Sequence, residues 1–164
     1  MFTGIVEEVG KINSIVDEEI SIKCKKILEK SKIGDSISVS GICLTITKIN
    51  QDNLSFQVSE ETKSKTILGK KQNLKYVNLE RAATFESRIG GHLIEGHVES
   101  TAMCKEINQL KDSTNVIFEA NADVISNIIV KGYICIDGTS LTINKINKNL
   151  FSISLIPHTL KETT

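Results

Sequence analysis

Residues 41–50 read GICLTITKIN, and residues 138–147 read GTSLTINKIN. Extended to 41–66 against 138–163, the match needs no gap and holds ten identities in twenty-six positions. These include Gly41/Gly138, Leu44/Leu141, Thr45/Thr142, Thr62/Thr159 and Thr66/Thr163. A self-match at fixed offset is the mark of a repeated structural unit. Upstream, TGIVEEVG (3–10) echoes EGHVESTA (95–102) at an offset of 92 instead of 97, so a longer connection is expected between 104 and 132. The chain divides into two copies of one module, 1–86 and 87–164.

Within each copy the pattern is β. Alternating runs recur at 20–24, 36–40, 42–49 and 54–58, then at 133–136, 140–146 and 150–156. Turn signals separate them: GD at 34–35, NQDN at 50–53, DG at 137–138 and NKN at 147–149. Only KKILEK (25–30) and ADVISNIIVKG (122–132) suit helix, the second closed by Gly132. About six short strands in some 85 residues predict an all-β fold of two tandem barrels.

The pleat gives the repeat a chemical asymmetry. Successive side chains on a strand face opposite sides. Ile42, Leu44 and Ile46 therefore share an apolar face, and Cys43, Thr45 and Thr47 the other. In the second copy Leu141 and Ile143 face inward, and Ser140, Thr142 and Asn144 outward. A thiol and a hydroxyl thus occupy one equivalent outward position.

Composition narrows the function classes. Lys plus Arg and Asp plus Glu both number 20 among 164 residues, so the net charge is zero. A nucleic-acid or anionic-membrane partner usually demands a basic excess, and seven aromatics without tryptophan offer few stacking platforms. No apolar run reaches the roughly 18 residues of a membrane span. The start MFTGIVEEVG lacks a basic n-region, which predicts a cytoplasmic location. Cys24, Cys104 and Cys135 are expected to be reduced, buried and small. With three histidines and no CxxC or HExxH spacing, no metal is expected.

Six ordered segments, MFTGIVEEVGKI (1–12), GICLTIT (41–47), VNLERAATF (77–85), IGGHLIEGHVESTA (89–102), KGYICIDGTSLTI (131–143) and LIPHTLKETT (155–164), resemble riboflavin synthase along essentially the whole chain. The resemblance implies two six-stranded Greek-key barrels, a C-terminal helix used in a homotrimer, and a transferase. The reaction it implies dismutates two molecules of 6,7-dimethyl-8-ribityllumazine to riboflavin and 5-amino-6-ribitylaminouracil, without metal or organic cofactor. Two copies of one substrate in opposite roles would use two similar pockets that differ at one position. Antenna proteins of bioluminescent bacteria, which bind lumazine or flavin without turnover, share the fold and are the rival reading.

The resemblance also assigns residues. Cys43 would be the nucleophile or proton acceptor, Ser140 would orient a water or ligand hydroxyl, and His97 and His92 would act beside them. Phe2, Gly4, Ile5 and Val6 would serve the pocket of the first barrel, and Gly96, His97 and Val98 that of the second. Leu44 and Thr45, with Leu141 and Thr142, would flank the two central positions. Gln57, Val58, Ser59, Glu60, Glu61 and Thr62 would close over one ligand. Ser154, Leu155, Ile156, Pro157, His158 and Thr159 would close over the other, with Lys131 and Asp137 near the ribityl chain. Ser40 stands where the family commonly has asparagine, which would weaken a ligand contact. The segment after Ile67 supplies a closing strand whose counterpart would follow Thr164, so the second barrel is expected to be incomplete and the sequence to be a trimmed chain.

Overall fold

The computed structural model describes residues 1–70 and 74–164. The first half holds β1 (Glu8–Val16), β2 (Glu19–Lys23), β3 (Ser36–Val39), β4 (Ile42–Ile49), β5 (Asn53–Gln57), α1 (Glu60–Lys65), α2 (Ile67–Lys70) and β6 (Tyr76–Arg81). The second holds β7 (Met103–Gln109), β8 (Thr114–Glu119), α3 (Ala122–Asn127), β9 (Tyr133–Ile136), β10 (Thr139–Asn147), β11 (Leu150–Leu155) and α4 (Pro157–Glu162). Among the described residues no helix is long and apolar enough to cross a membrane.

In the first half the order β1-β2-β5-β4-β3-β6 closes on itself as a barrel, because β6 pairs with both β1 and β3. Its core is packed by the inward residues of every strand, among them Ile20, Ile22, Ile37, Ile46, Leu54, Phe56 and Leu79. Burying each such side chain contributes about 1.5–3 kcal/mol. The second half forms a five-stranded sheet in the order β7-β8-β11-β10-β9. No described strand joins β7 to β9, and apolar groups on these edge strands stay exposed, Met103 at 62% and Ile107 at 66%. This explains why Cys104 on β7, expected to be buried, is exposed: no closed core lies behind it.

The repeat reappears in detail. Register shifts fall between Ile46 and Lys48 in β4 and between Ile143 and Lys145 in β10, at equivalent places. Thr66 Oγ1 donates to Thr62 O at the end of α1, and Thr163 Oγ1 to Thr159 O at the end of α4, both at 2.7 Å. The two threonine identities thus close the same helical turn twice. The longer connection is the β7–β8 hairpin: residues 110–113 form its tip, where 17–18 suffice between β1 and β2.

Two helix expectations are corrected. Residues 25–30 form successive turns, not a helix. The Glu8 carboxylate accepts from Lys25 N and Ile27 N, and the segment closes with i to i−3 bonds, Leu28 N to Lys25 O and Glu29 N to Lys26 O, in place of helical ones. The helix at 122–132 stops at Asn127, with Ile128 already extended and packed on the second core. The β-branched run Ile128–Val130 favours that departure, and Gly132 instead follows a left-handed Lys131 (φ 68°).

The halves meet through their hairpin turns. Ser40–Gly41 (φ 46° and 84°) joins β3 to β4, and Asp137–Gly138 (φ 46° and 82°) joins β9 to β10. Paired left-handed residues make the turn that suits a twisted hairpin. A Cβ on Gly138 would lie 2.9 Å from Gly41 N, so the two tips touch. Asn78 of β6, 2% exposed, ties them together. Its Nδ2 donates to Asp137 O at 2.8 Å, its N–H to Ser40 Oγ at 3.1 Å, and its Oδ1 accepts from Thr164 N at 2.9 Å. The Ser40 hydroxyl is thus occupied within the fold.

Candidate functional site

The N-terminal residues bridge the two halves. Phe2 and Ile94 form an antiparallel bridge, Phe2 N donating to Ile94 O at 2.7 Å and Ile94 N to Phe2 O at 3.0 Å. Beyond it each strap docks on the opposite half. Ser140 N donates to Gly4 O at 2.8 Å, and Cys43 N to Gly96 O at 2.9 Å. These two contacts are equivalents under the repeat, since Gly4 matches Gly96 and Cys43 matches Ser140. The pairing read from sequence is therefore exchanged: Gly4 lies against Ser140 of the second half, and Gly96 against Cys43 of the first. Repeat offsets identify counterparts, but the Phe2–Ile94 bridge decides which half each strap reaches.

The exchange produces two unlike half-sites. On the first, half-buried Cys43 stands beside Gly96, with exposed Thr45 two residues along β4. His97, next after Gly96, is exposed and places Nδ1 3.4 Å from Glu95 Oε2. On the second, Ser140 Oγ is hydrogen-bonded to His92 Nδ1, and the His92 ring stacks on Tyr133 at 4.6 Å between centroids. Ile5, exposed, and Val6, half-buried, follow Gly4. The two histidines thus serve different halves. A hydroxyl held by an imidazole nitrogen can pass its proton there. Cys43 and Cys135 are half-buried and Cys104 is exposed, and burial pushes Cys24 up to about 12 and Cys135 up to about 11.

Other predicted residues divide by where their side chains point. Phe2, Leu44 and Val58 are buried, and Leu141 packs against the second core, so from these positions a ligand would meet backbone. Thr62 is tied into the α1 cap, its Oγ1 2.9 Å from Ser59 Oγ and its N–H donating to that oxygen. Glu60 and Glu61 pair with Lys63 and Lys65 on the surface. Gln57, Thr142, Ser154, Ile156, Pro157 and His158 are exposed, with Leu155, Val98 and Thr159 half-buried. Lys131 is exposed with its N–H donating to Ile143 O, and Asp137 O is held by Asn78.

A cavity of about 210 Å³ touches Val58 and Lys63, and a hollow of about 660 Å³ touches Thr47 and Gln57. Neither reaches Cys43 or Ser140. Three neighbours of the site escaped sequence reasoning: Thr3, Glu80 and Tyr133. Glu80 sits in YVNLER, where Val77, Asn78, Leu79 and Glu80 are all buried. Alternation along that strand marks Glu80 as outward, and nothing in its spelling signals that a strap covers it.

The lumazine binding domain model matches twice, over residues 3–82 and 95–164. Riboflavin synthase of Bacillus subtilis (strain 168) is 41% identical over 170 residues, covering 99% of this chain and 78% of its own. The chain belongs to the riboflavin synthase family. Within this family of transferase-type enzymes, riboflavin synthase of Actinobacillus pleuropneumoniae is 40% identical over 99% of this chain and 78% of its own. Among solved structures, LumP complexed with riboflavin superposes with a TM-score of 0.87 at 28% identity, covering 100% of this chain and 91% of that one. LumP complexed with 6,7-dimethyl-8-(1'-D-ribityl) lumazine gives 0.87 at 26% identity, over 99% and 90%.

Proposed function

We propose that this chain is a riboflavin synthase. It dismutates two molecules of 6,7-dimethyl-8-ribityllumazine, moving a four-carbon unit from one to the other to give riboflavin and 5-amino-6-ribitylaminouracil. The observation that carries this reading is the asymmetry at one repeated position: a cysteine beside Gly96, and a serine bound to His92 beside Gly4. Identical pockets would suit two ligands in one role. Donor and acceptor require different chemistry from two similar clefts.

Each such cleft is built on one lumazine-binding unit, 1–86 or 87–164, and completed by the strap of the other. The productive site forms where the Cys43 face of one subunit meets the Ser140 face of another in a homotrimer in the cytoplasm. Holding two lumazines in contact removes the entropy cost of their encounter, worth several kcal/mol of barrier. One lumazine must lose a proton from its activated methyl, and the other must accept a nucleophile. Cys43 is the stronger nucleophile of the two central groups, and the Ser140–His92 pair can relay a proton or hold a water. Lys131 and Asp137 would meet the ribityl chain.

Binding without turnover is the second reading, favoured by the close superposition on LumP over the whole chain. Incubation with 6,7-dimethyl-8-ribityllumazine separates the two. Riboflavin formed at one molecule per two lumazines consumed establishes the synthase. Retention of unchanged lumazine by the folded protein establishes a binder.

A further inference from the structure

Glu80 is a charged side chain on a barrel strand, yet it is only 5% exposed. Its carboxylate faces the strap that crosses to the second half. Oε1 accepts from Thr3 N at 2.7 Å and from Thr3 Oγ1 at 2.9 Å, and Oε2 accepts from Gly4 N at 3.0 Å. Gly4 O in turn accepts from Ser140 N, and Thr3 O from His92 N at 3.0 Å. One carboxylate thus grips the N–H groups of the two residues whose carbonyls hold the serine and the histidine of the second half-site. Cys135, opposite Ser140 in the β9–β10 register, also feels its charge.

We infer that Glu80 is a positioning residue for the Ser140–His92 half-site, acting through Thr3 and Gly4 across the junction. The Phe2–Ile94 bridge and the Ala83 N to Met1 O bond anchor the start of the strap, but the N–H groups of Thr3 and Gly4 rest on Glu80. Gly4 needs its left-handed φ of 74°, and Thr3 is buried with its hydroxyl spent on Glu80. Buried donors that lose an acceptor carry a full desolvation penalty, so the strap shifts when the carboxylate is removed. A shift of a fraction of an ångström at Gly4 is delivered directly to the Ser140 backbone. The Cys43 half-site is held by Gly96, and Glu80 is linked to it only through the backbone of Ser38, which pairs with both Glu80 and Cys43, and through Phe2 beside Gly96. The direct hydrogen bonds of the carboxylate all run to the Ser140 side, so the larger effect falls there. This inference rests on the synthase reading for its catalytic consequence only.

Glu80→Gln tests it, because the amide places an N–H where an acceptor is required. In the full chain, amide exchange at Ser140 should accelerate by about tenfold while Cys43 stays within about twofold. The variant should lose about tenfold in kcat with KM within about threefold, the mark of lost positioning and not of lost binding. Thr3→Val, which removes only the hydroxyl, should move both readouts in the same direction by less. It decides the matter if Glu80→Gln does not fold. Unchanged exchange at Ser140, equal acceleration at Ser140 and Cys43, or a loss confined to KM overturns the proposal. If the wild-type chain makes no riboflavin, the synthase reading fails while the exchange comparison still decides the role of Glu80.

Discussion

Gly96 and Cys43 stand closer than any substituted pair could: a Cβ on Gly96 would lie 2.7 Å from the Cys43 Cβ and 3.0 Å from its nitrogen. Gly96 also has a φ of 84°, which costs an L side chain roughly 1–2 kcal/mol. Gly96→Ala should therefore unseat the strap from Cys43 and lower both Tm and turnover. Gly34 shares the left-handed backbone at φ 94° with nothing within 4 Å of an added Cβ. Gly34→Ala should cost only the backbone strain and leave turnover alone. Thermal melts and lumazine turnover of the two variants check this.

Ser140 and His92 should behave as one unit. Each alanine variant should lower kcat by about 10²-fold, and the double variant should fall no further than the worse of the two. Additive losses in that cycle would show that the two groups act independently.

The thiols should separate by reactivity. At pH 8 a thiol with a pKa near 12 is thiolate in only about one part in 10⁴, so Cys24 should resist alkylation and Cys135, near 11, almost as well. Cys104 and Cys43 should label first, as mass spectrometry of peptides would report. Cys43→Ala should abolish one of the two fast sites and lower turnover by about 10²-fold. Wild-type turnover in that variant would remove Cys43 from the chemistry.

Arg81 grips Glu7 through Nε and Nη2, the latter 2.6 Å from Oε2, while Arg81 N donates to Oε1 at 2.9 Å. Burial pushes the Glu7 carboxyl up, but these hydrogen bonds outweigh it and the net shift is downward. A lowered folded value stabilises the protein above the ordinary carboxylate range of about 4.3 and is lost as pH falls through it. Removing the pair should cost roughly 1 kcal/mol near neutrality. Arg81→Met should show that deficit at pH 7 and a shrinking one towards pH 3, measured by denaturant melts.

Much of this was legible because strand pleating is strict. The alternation in ICLTITKI placed Leu44 inside and Cys43 outside, and the repeat carried the same rule to Ser140. The open second sheet was foreseeable from the lone closing segment at 76–81. What could not be read was the exchange of straps, since a repeat reports likeness and not proximity. Nor could Glu80 be read, because a buried carboxylate is spelled like an exposed one. At 25–30 the hydrophobic spacing was helical, but the segment closes in i to i−3 turns with Lys25 N and Ile27 N donating to the Glu8 carboxylate.

The crossing of the straps ties the histories of the two copies together. After a duplication, each copy is ordinarily free to drift while the other preserves the ancestral task. Here a change at Gly4 is felt at Ser140, and a change at Gly96 is felt at Cys43. Neither copy can wander without altering the surroundings of its sibling's reactive group. Specialisation of the two had to proceed in step, as a negotiated division of labour inside a single chain.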